Sequence, residues 1–294
     1  MDSSMYIFRA WHSLDESIVD AEGHPANAVY GFTDFVYRFL SDVQPQHVAF
    51  AFDKSLTSCF RNELYPPYKA NRPPAPQELL VQFRYCREFI DALGIVELGS
   101  QMYEADDIIG TLAVRARNNG LAAVILTGDK DMAQLLKLER DVLWDYAKNR
   151  RLDCQGVEQH FGVRPEQIAD LLAIAGDQSD NIPGVPGLGN KTAVELLLRF
   201  RDVEELLEKK DVIEFLKIRG AERTQRLVQA HEDDIRLFRK ITEIKVDVDL
   251  PHMELRPRGP DHLALEDLFE RLGFSQFRRE RWVVLAEGLA ESVN

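Results

Sequence analysis

Ala122-Ala123-Val124-Ile125-Leu126-Thr127-Gly128-Asp129-Lys130-Asp131 decides how this chain is read. Its first half is a short apolar run closed by Thr127 and Gly128, which reads as a buried strand, and its second half sets two carboxylates at that strand's end. Further apolar runs at 47–52, 95–98 and 142–146 alternate with helical apolar spacing at 77–93, 104–118 and 131–137. Strand and helix in turn predict an α/β layer with a mainly parallel sheet flanked by helices. In such layers ligands gather beyond the carboxyl ends of the strands, where Asp53 and Asp129 stand. From about residue 164 the pattern becomes helical, at 165–176, 191–200, 203–209, 221–241 and 263–272. The expected division is an α/β domain over 1–163 and a helical region over 164–294.

Two other acidic stretches border apolar segments: Tyr103-Glu104-Ala105-Asp106-Asp107 and Gly176-Asp177-Gln178-Ser179-Asp180. Glu104 and Asp107, like Asp177 and Asp180, are three residues apart and share a face on a helix. Asp129 and Asp131 alternate with Lys130 and face one side if the turn stays extended. If these segments pack together, their carboxylates converge on one cleft, which like charges do not tolerate without counter-charge. Hard oxygen ligands of this kind select Mg²⁺ or Mn²⁺, and paired metals on carboxylates most often serve phosphate-ester hydrolysis.

After the last acidic stretch comes Asn181-Ile182-Pro183-Gly184-Val185-Pro186-Gly187-Leu188-Gly189-Asn190-Lys191-Thr192. Gly187 and Gly189 permit a tight turn and a close backbone approach, and the helix that follows offers free N–H groups to an anion such as a DNA phosphate. Backbone contacts of that sort hold a duplex without reading its sequence. The polar segment 54–76, with five prolines among Arg61, Tyr65, Tyr68, Lys69 and Arg72, is long for a connection inside a compact domain and suits a functional lid.

The chain has 294 residues, 45% of them hydrophobic, enough for a sizeable core, and its charge is −13. That acidity argues against ordinary nucleic-acid binders, but removing nine acids assigned to a metal site leaves only −4. No apolar run is long enough for a membrane span and no signal peptide opens the chain, so a cytoplasmic protein with no membrane partner is expected. Cys59, Cys86 and Cys154 form neither a zinc pattern nor a disulfide framework.

In their order, Asp2, Phe52-Asp53, Tyr103-Glu104-Ala105-Asp106-Asp107, Thr127-Gly128-Asp129-Lys130-Asp131 and Gly176-Asp177-Gln178-Ser179-Asp180-Asn181 resemble the motifs of the bacterial 5′-nuclease family. That family includes the 5′→3′ exonuclease domain of DNA polymerase I, stand-alone exonucleases and, more distantly, flap endonucleases; the likeness runs to about Leu272. It implies a PIN-like sheet, a helical arch at about 54–76, and a helix-three-turn-helix element that binds duplex DNA. It implies a first metal group of Asp2, Asp53, Glu104, Asp106 and Asp129, with Asp107 beside them, and a second of Asp131, Asp177 and Asp180. Lys69 and Arg72 are implied to act on the scissile phosphate, with Tyr68 available to stack on a base. Arg9 and Arg61 are implied DNA contacts, as are Gly184, Val185, Gly187, Gly189, Lys191 and Thr192 of the hairpin. The implied cofactors are two or three Mg²⁺ ions, replaceable by Mn²⁺, with K⁺ at the hairpin. Nine carboxylates and two divalent cations still leave five negative charges, so Lys69 and Arg72 are needed to admit a phosphodiester.

The expected activity is structure-selective 5′→3′ exonuclease and 5′-flap endonuclease cleavage of DNA by a monomer. One departure stands out: the family's first ligand ends a central strand, whereas only Met1 precedes Asp2 here. The reading favours a native start upstream, with an extended chain more stable or more active. With no polymerase segment after Asn294, a stand-alone enzyme is expected. The alternatives are a PIN-type ribonuclease, or a structure-selective DNA-binding protein whose turnover is impaired by the missing strand.

Overall fold

The computed structural model describes residues 1–55 and 58–291. Residues 56 and 57 of the expected 54–76 segment, and the last three of the helical region, lie outside the described residues. In chain order come α1 (Ser3–Ser13), α2 (Asn27–Val43), β1 (Ala49–Asp53), α3 (Phe60–Leu64), α4 (Gln77–Ala92), β2 (Val96–Ser100) and α5 (Ala105–Asn118). Next are β3 (Val124–Leu126), β4 (Val142–Asp145), β5 (Arg150–Leu152), α6 (Cys154–Phe161), α7 (Ile168–Ala175) and α8 (Asn190–Leu197). The chain closes with α9 (Val203–Glu208), α10 (Ala221–Ala230), α11 (Glu232–Thr242), α12 (His262–Arg271) and α13 (Gln276–Glu291).

Two compact units interleave along the chain. Unit 1 comprises Met1–Leu56, Pro74–Ile109 and Val248–Asn294; unit 2 comprises Thr57–Pro73 and Gly110–Asp247. In unit 1, β1 and β2 pair in parallel, Ala49 opposite Val96 through Asp53 opposite Ser100. Asp2 forms a parallel bridge to Ala51; the Met1 nitrogen donates to Ala49 O at 2.8 Å, and Ala51 N donates to Met1 O at 2.9 Å. The first two residues thus extend the pairing at β1. Phe32 of α2 packs edge-on against Phe50 and Phe52 of β1, and Trp282 of α13 is fully buried. No side chain at the preceding residue caps α2, but buried Gln82 of α4 accepts from the amides of Ala28 (2.7 Å) and Val29 (3.1 Å), which supplies that cap.

In unit 2, β3 and β4 are parallel and β5 returns antiparallel to β4, with Trp144 opposite Arg151. The exposed pair Arg150-Arg151 hides β5 from a hydrophobicity reading. Two expected helices differ in the structure. Residues 131–137 form only a 3₁₀ turn, Asp131–Leu135, because the amides of Lys137 and Leu138 leave the helical ladder to donate to Asp141, each at 2.9 Å. The expected helix over 221–241 breaks at His231, whose ring Nδ1 lies 2.8 Å from the Asp234 carboxylate at the start of α11.

Candidate functional site

Unit 1 gathers acids at the carboxyl end of β1. Asp2 caps α1, its Oδ1 accepting from Met5 N at 3.2 Å, and through its bridge to Ala51 it stands beside the strand that ends in Asp53. Asp53 N donates to Ser4 Oγ (2.9 Å), and Asp53 Oδ1 accepts from Ala105 N (2.8 Å), tying the strand end to the first turn of α5. There Asp107 is buried and its Oδ2 accepts from Glu104 N at 3.1 Å, so this acid serves as a helix cap. Glu104 and Asp106 are only partly buried, and a negative charge at this helix start is favoured by the free amides. Arg9 is exposed on α1.

Unit 2 holds the other acids together with bases. Asp129 follows β3 through Thr127-Gly128: its amide donates to Thr127 Oγ1 (3.1 Å), and its Oδ1 accepts from Asp131 N (2.9 Å). Lys130 Nζ donates to Asp177 Oδ2 at 2.7 Å; Ser179 donates to Asp177 Oδ1 through both its amide (2.7 Å) and its hydroxyl (2.6 Å). Asp180 accepts from Arg72 at 2.7 Å and from the Tyr68 hydroxyl at 3.0 Å, with Lys69 Nζ at 3.6 Å. Burial alone would raise the Asp177 carboxyl, but Lys130 and Ser179 more than offset it and hold the group below its ordinary range.

Asp129 and Asp131 are placed differently. Burial raises both carboxyls, Asp131 well above its usual value, and in Asp131 the adjacent Asp129 charge adds to the rise. Asp131 Oδ1 is buried with no hydrogen-bond partner, the Lys130 ammonium standing 3.9 Å away. A buried carboxylate oxygen left without a donor is costly, and a cation satisfies it, so the donor set fits a divalent metal. Because these acids are raised, the stability they lend the metal-free protein is full below pH 3.8 and lost as pH climbs above that value. Asp131→Asn is therefore expected to stabilise the metal-free protein at neutral pH by about 1–2 kcal/mol, raising its melting temperature by several degrees. A variant melting at or below the wild-type temperature in chelator would show that the carboxylate is not strained.

Several sequence expectations need correction. The expected convergence of acids is met only in part: the charges of Asp129, Asp177 and Asp180 all act on Asp131 in unit 2, yet among the described residues no three carboxylate, imidazole or thiolate side chains form a group that could hold one metal ion. The physical reason in unit 2 is competition, Asp177 being matched to Lys130 and Asp180 to Arg72 and Lys69. Among its described residues the expected helical arch contains one five-residue helix, α3, because the prolines at 66, 67, 73, 74 and 76 deny further helix. Tyr68 is only 4% exposed, its ring packed with Ile182, Phe238 and Ile241, so it is not placed to stack on a base. Arg61 is 2% exposed and donates to Ile241 O (2.8 Å) and Glu243 O (2.9 Å), tying α3 to the end of α11 instead of facing a phosphate. The base that sequence reasoning missed is Lys130; its alternation with Asp129 and Asp131 was the available signal.

The hairpin is built as its glycines require. Asp177 and Ile182 exchange backbone hydrogen bonds at 2.8 and 2.7 Å, and Gly184, at φ 63°, sits so close that a Cβ would lie 2.3 Å from Gly176 N. Gly187 also has positive φ, 90°. Val185 is buried and its amide donates to Ile174 O at 2.8 Å, so it anchors the turn and has no N–H to spare for an anion. Gly189 precedes α8, whose first turn of Asn190, Lys191 and Thr192 has no side-chain cap; Lys191 is exposed and Thr192 half-buried. Those amides and the Lys191 charge suit an anion.

These features define an α/β architecture of the PIN type followed by a helical hairpin region. Residues 1–162 match the model of the 5′-3′ exonuclease N-terminal resolvase-like domain, and residues 163–262 that of the 5′-3′ exonuclease C-terminal SAM fold. The chain belongs to the 5′-3′ exonuclease family. It is 38% identical over 284 residues to DNA polymerase I of Bacillus caldotenax, covering 94% of this chain and 31% of that protein. To DNA polymerase I of Rhizobium leguminosarum it is 37% identical over 272 residues, covering 88% of this chain and 26% of that protein. The chain thus spans less than a third of the length of these curated relatives.

Among solved structures, the fold is shared with T5 5′-exonuclease bound to zinc ions, with a TM-score of 0.66, 17% identity, and 98% of this chain and 97% of that one covered. It is also shared with the catalytic core of Rad2 in complex with DNA substrate, with a TM-score of 0.62, 15% identity, and coverage of 97% and 90%. No helix among the described residues is long and apolar enough to cross a membrane.

Proposed function

We propose that this chain is a structure-selective 5′→3′ exonuclease and 5′-flap endonuclease that hydrolyses DNA phosphodiesters with divalent cations, two or three Mg²⁺ ions or Mn²⁺ in their place. The observation that carries the reading is Asp131 Oδ1, buried without a hydrogen-bond partner beside the Asp129 carboxylate, in a member of a 5′-3′ exonuclease family. Asp131, Asp129, Asp177 and Asp180 in unit 2, and Asp2, Asp53, Glu104 and Asp106 in unit 1, are the proposed ligands; Asp107 supports the latter group as a cap. Bound divalent cations supply the Lewis acidity that activates water and offsets charge developing on the phosphoryl group.

The protein's own part is an exchange of partners. Lys69 and Arg72 neutralise Asp180 in the ligand-free chain and would be free to meet a phosphodiester if Asp180 were to hold a divalent cation, and Lys130 keeps Asp177 ionised. Lys69 is held at φ 54°, and its amide donates to Asp180 O at 3.0 Å, so the backbone keeps the two side chains in reach of each other. Gly187, Gly189, Lys191 and Thr192 hold duplex phosphates, with K⁺ as a further ligand of the hairpin, and Arg9 is a phosphate contact. The protein acts as a cytoplasmic monomer.

A DNA duplex bearing a labelled 5′ flap tests this directly. Short 5′ products that appear with Mg²⁺ and vanish with chelator are the expected result. Cleavage that survives chelation would refute the metal-dependent reading, and faster cleavage of an RNA strand would favour a ribonuclease. Binding without cleavage would favour a DNA-binding module.

A further inference from the structure

The segment between α9 and α10 carries an exposed aromatic that the site above does not use. In the 3₁₀ turn Lys210–Phe215, Phe215 is 78% exposed and Val212 is 45% exposed. The turn is nevertheless fixed: Ile213 is fully buried, Glu214 N donates to Gln225 Oε1 at 2.9 Å, and Gln229 Nε2 donates to Asp211 Oδ1 at 2.8 Å. Lys217 and Arg219 follow in solvent, and neither forms an ion pair among the described residues. Their neighbours contrast with them, since Lys209 pairs with Glu205, Lys210 with Glu232 and Arg236 with Glu204. In a chain of net charge −13, a rigid phenylalanine beside two uncompensated bases calls for an anionic partner with an apolar surface.

Helix α10 links this turn to the glycine hairpin. Arg223 stands against Gly187, where a Cβ would meet its Nη2 at 2.9 Å, and Leu227, one turn on, borders the same glycine. Gln225 and Gln229, about 200° round the helix, face the 3₁₀ turn. Hairpin and Phe215 turn therefore flank one helix of about 10–12 Å diameter, roughly three base-pair steps of a duplex, with exposed Arg226 on the helix between them.

We propose that Phe215, Lys217 and Arg219 form a second nucleic-acid contact, in which the ring packs on a base or deoxyribose and the two bases hold flanking phosphates. This extends the DNA-binding reading given above and rests on it. Aromatic faces and cations in alternation grip a strand without sequence preference, and the hairpin supplies the adjoining stretch of that track.

The test uses the full chain, a fluorescent 5′-flap duplex and Ca²⁺ to support binding without turnover. Phe215→Ala is expected to weaken binding about tenfold, and Lys217→Ala with Arg219→Ala to lower the salt dependence of log Kd by about two. Phe215→Trp is expected to change its emission when DNA is added. Because Phe215 is exposed, melting temperatures of all variants should match the wild type. An unresponsive Phe215→Trp, with Phe215→Ala binding as wild type while Lys191→Ala binds more weakly, would overturn this contact and leave the hairpin reading standing. Failure of the wild type to bind any DNA would instead overturn the DNA-binding reading itself.

Discussion

Asp129→Ala is expected to lower turnover on a 5′-flap substrate by about a thousandfold or more, while Ca²⁺-supported DNA affinity stays within about twofold of wild type. The side chain stands just after β3, accepts the Asp131 amide at 2.9 Å, and contributes charge that keeps the Asp131 carboxyl raised. Its removal deletes a proposed ligand and also loosens the turn that aims Asp131. The DNA-binding elements proposed here, the 184–192 hairpin and the Phe215 turn, share no hydrogen bond with Asp129. Single-turnover kinetics with Mg²⁺ and anisotropy with Ca²⁺ separate the two effects. Turnover within tenfold of wild type would remove Asp129 from the chemistry, and parallel loss of binding would assign it a structural role.

Asp141→Ala is expected to cost about 3–5 kcal/mol, a fall in melting temperature on the order of 10 °C, with no direct effect on chemistry. Asp141 is fully buried and accepts from Arg117 Nε and from the amides of Ala123, Lys137 and Leu138, each at 2.9 Å. It thereby joins α5, β3 and the segment leading into β4. Burial would raise its carboxyl, yet the three amides and the Arg117 guanidinium together hold it below the usual range. The folded pKa is thus depressed, so this contribution is present above pH 3.8 and is lost as pH falls through the folded value. Alanine leaves three buried donors and one arginine uncompensated. A thermal melt at neutral pH in chelator reads the effect, and a loss under about 2 °C would show that water replaces the carboxylate.

The acids differ in how far sequence could assign them. Asp53 and Asp129 were legible because each follows an apolar run, and position at a strand end is a property of the chain itself. Asp145 follows the same local grammar at the end of β4, yet it, like Asp141 and Asp170, is a buried carboxylate that serves hydrogen bonds or ion pairs, Asp170 with Arg239 at 2.7 Å. Nothing in the spacing of Arg117 and Asp141, or Lys130 and Asp177, marks them as partners, since they lie 24 and 47 residues apart. Tyr68 and Arg61 read as exposed members of a basic, aromatic loop, and they are buried because Tyr68 packs on α7 and α11 and Arg61 bonds the end of α11. Strand β5 escaped notice because an edge strand with Arg150 and Arg151 outward has no apolar signal.

Alternating apolar runs, the acids that end them and the glycines at 184, 187 and 189 were enough to set the α/β class, the helical second half and the family, because each of these is local in the chain. Which acid meets a base, which keeps an unsatisfied oxygen, and which aromatic faces solvent were decided only in three dimensions. Burial and charge pairing depend on residues distant in sequence, and it is those distant neighbours that raise Asp131, lower Asp177 and leave Phe215 exposed.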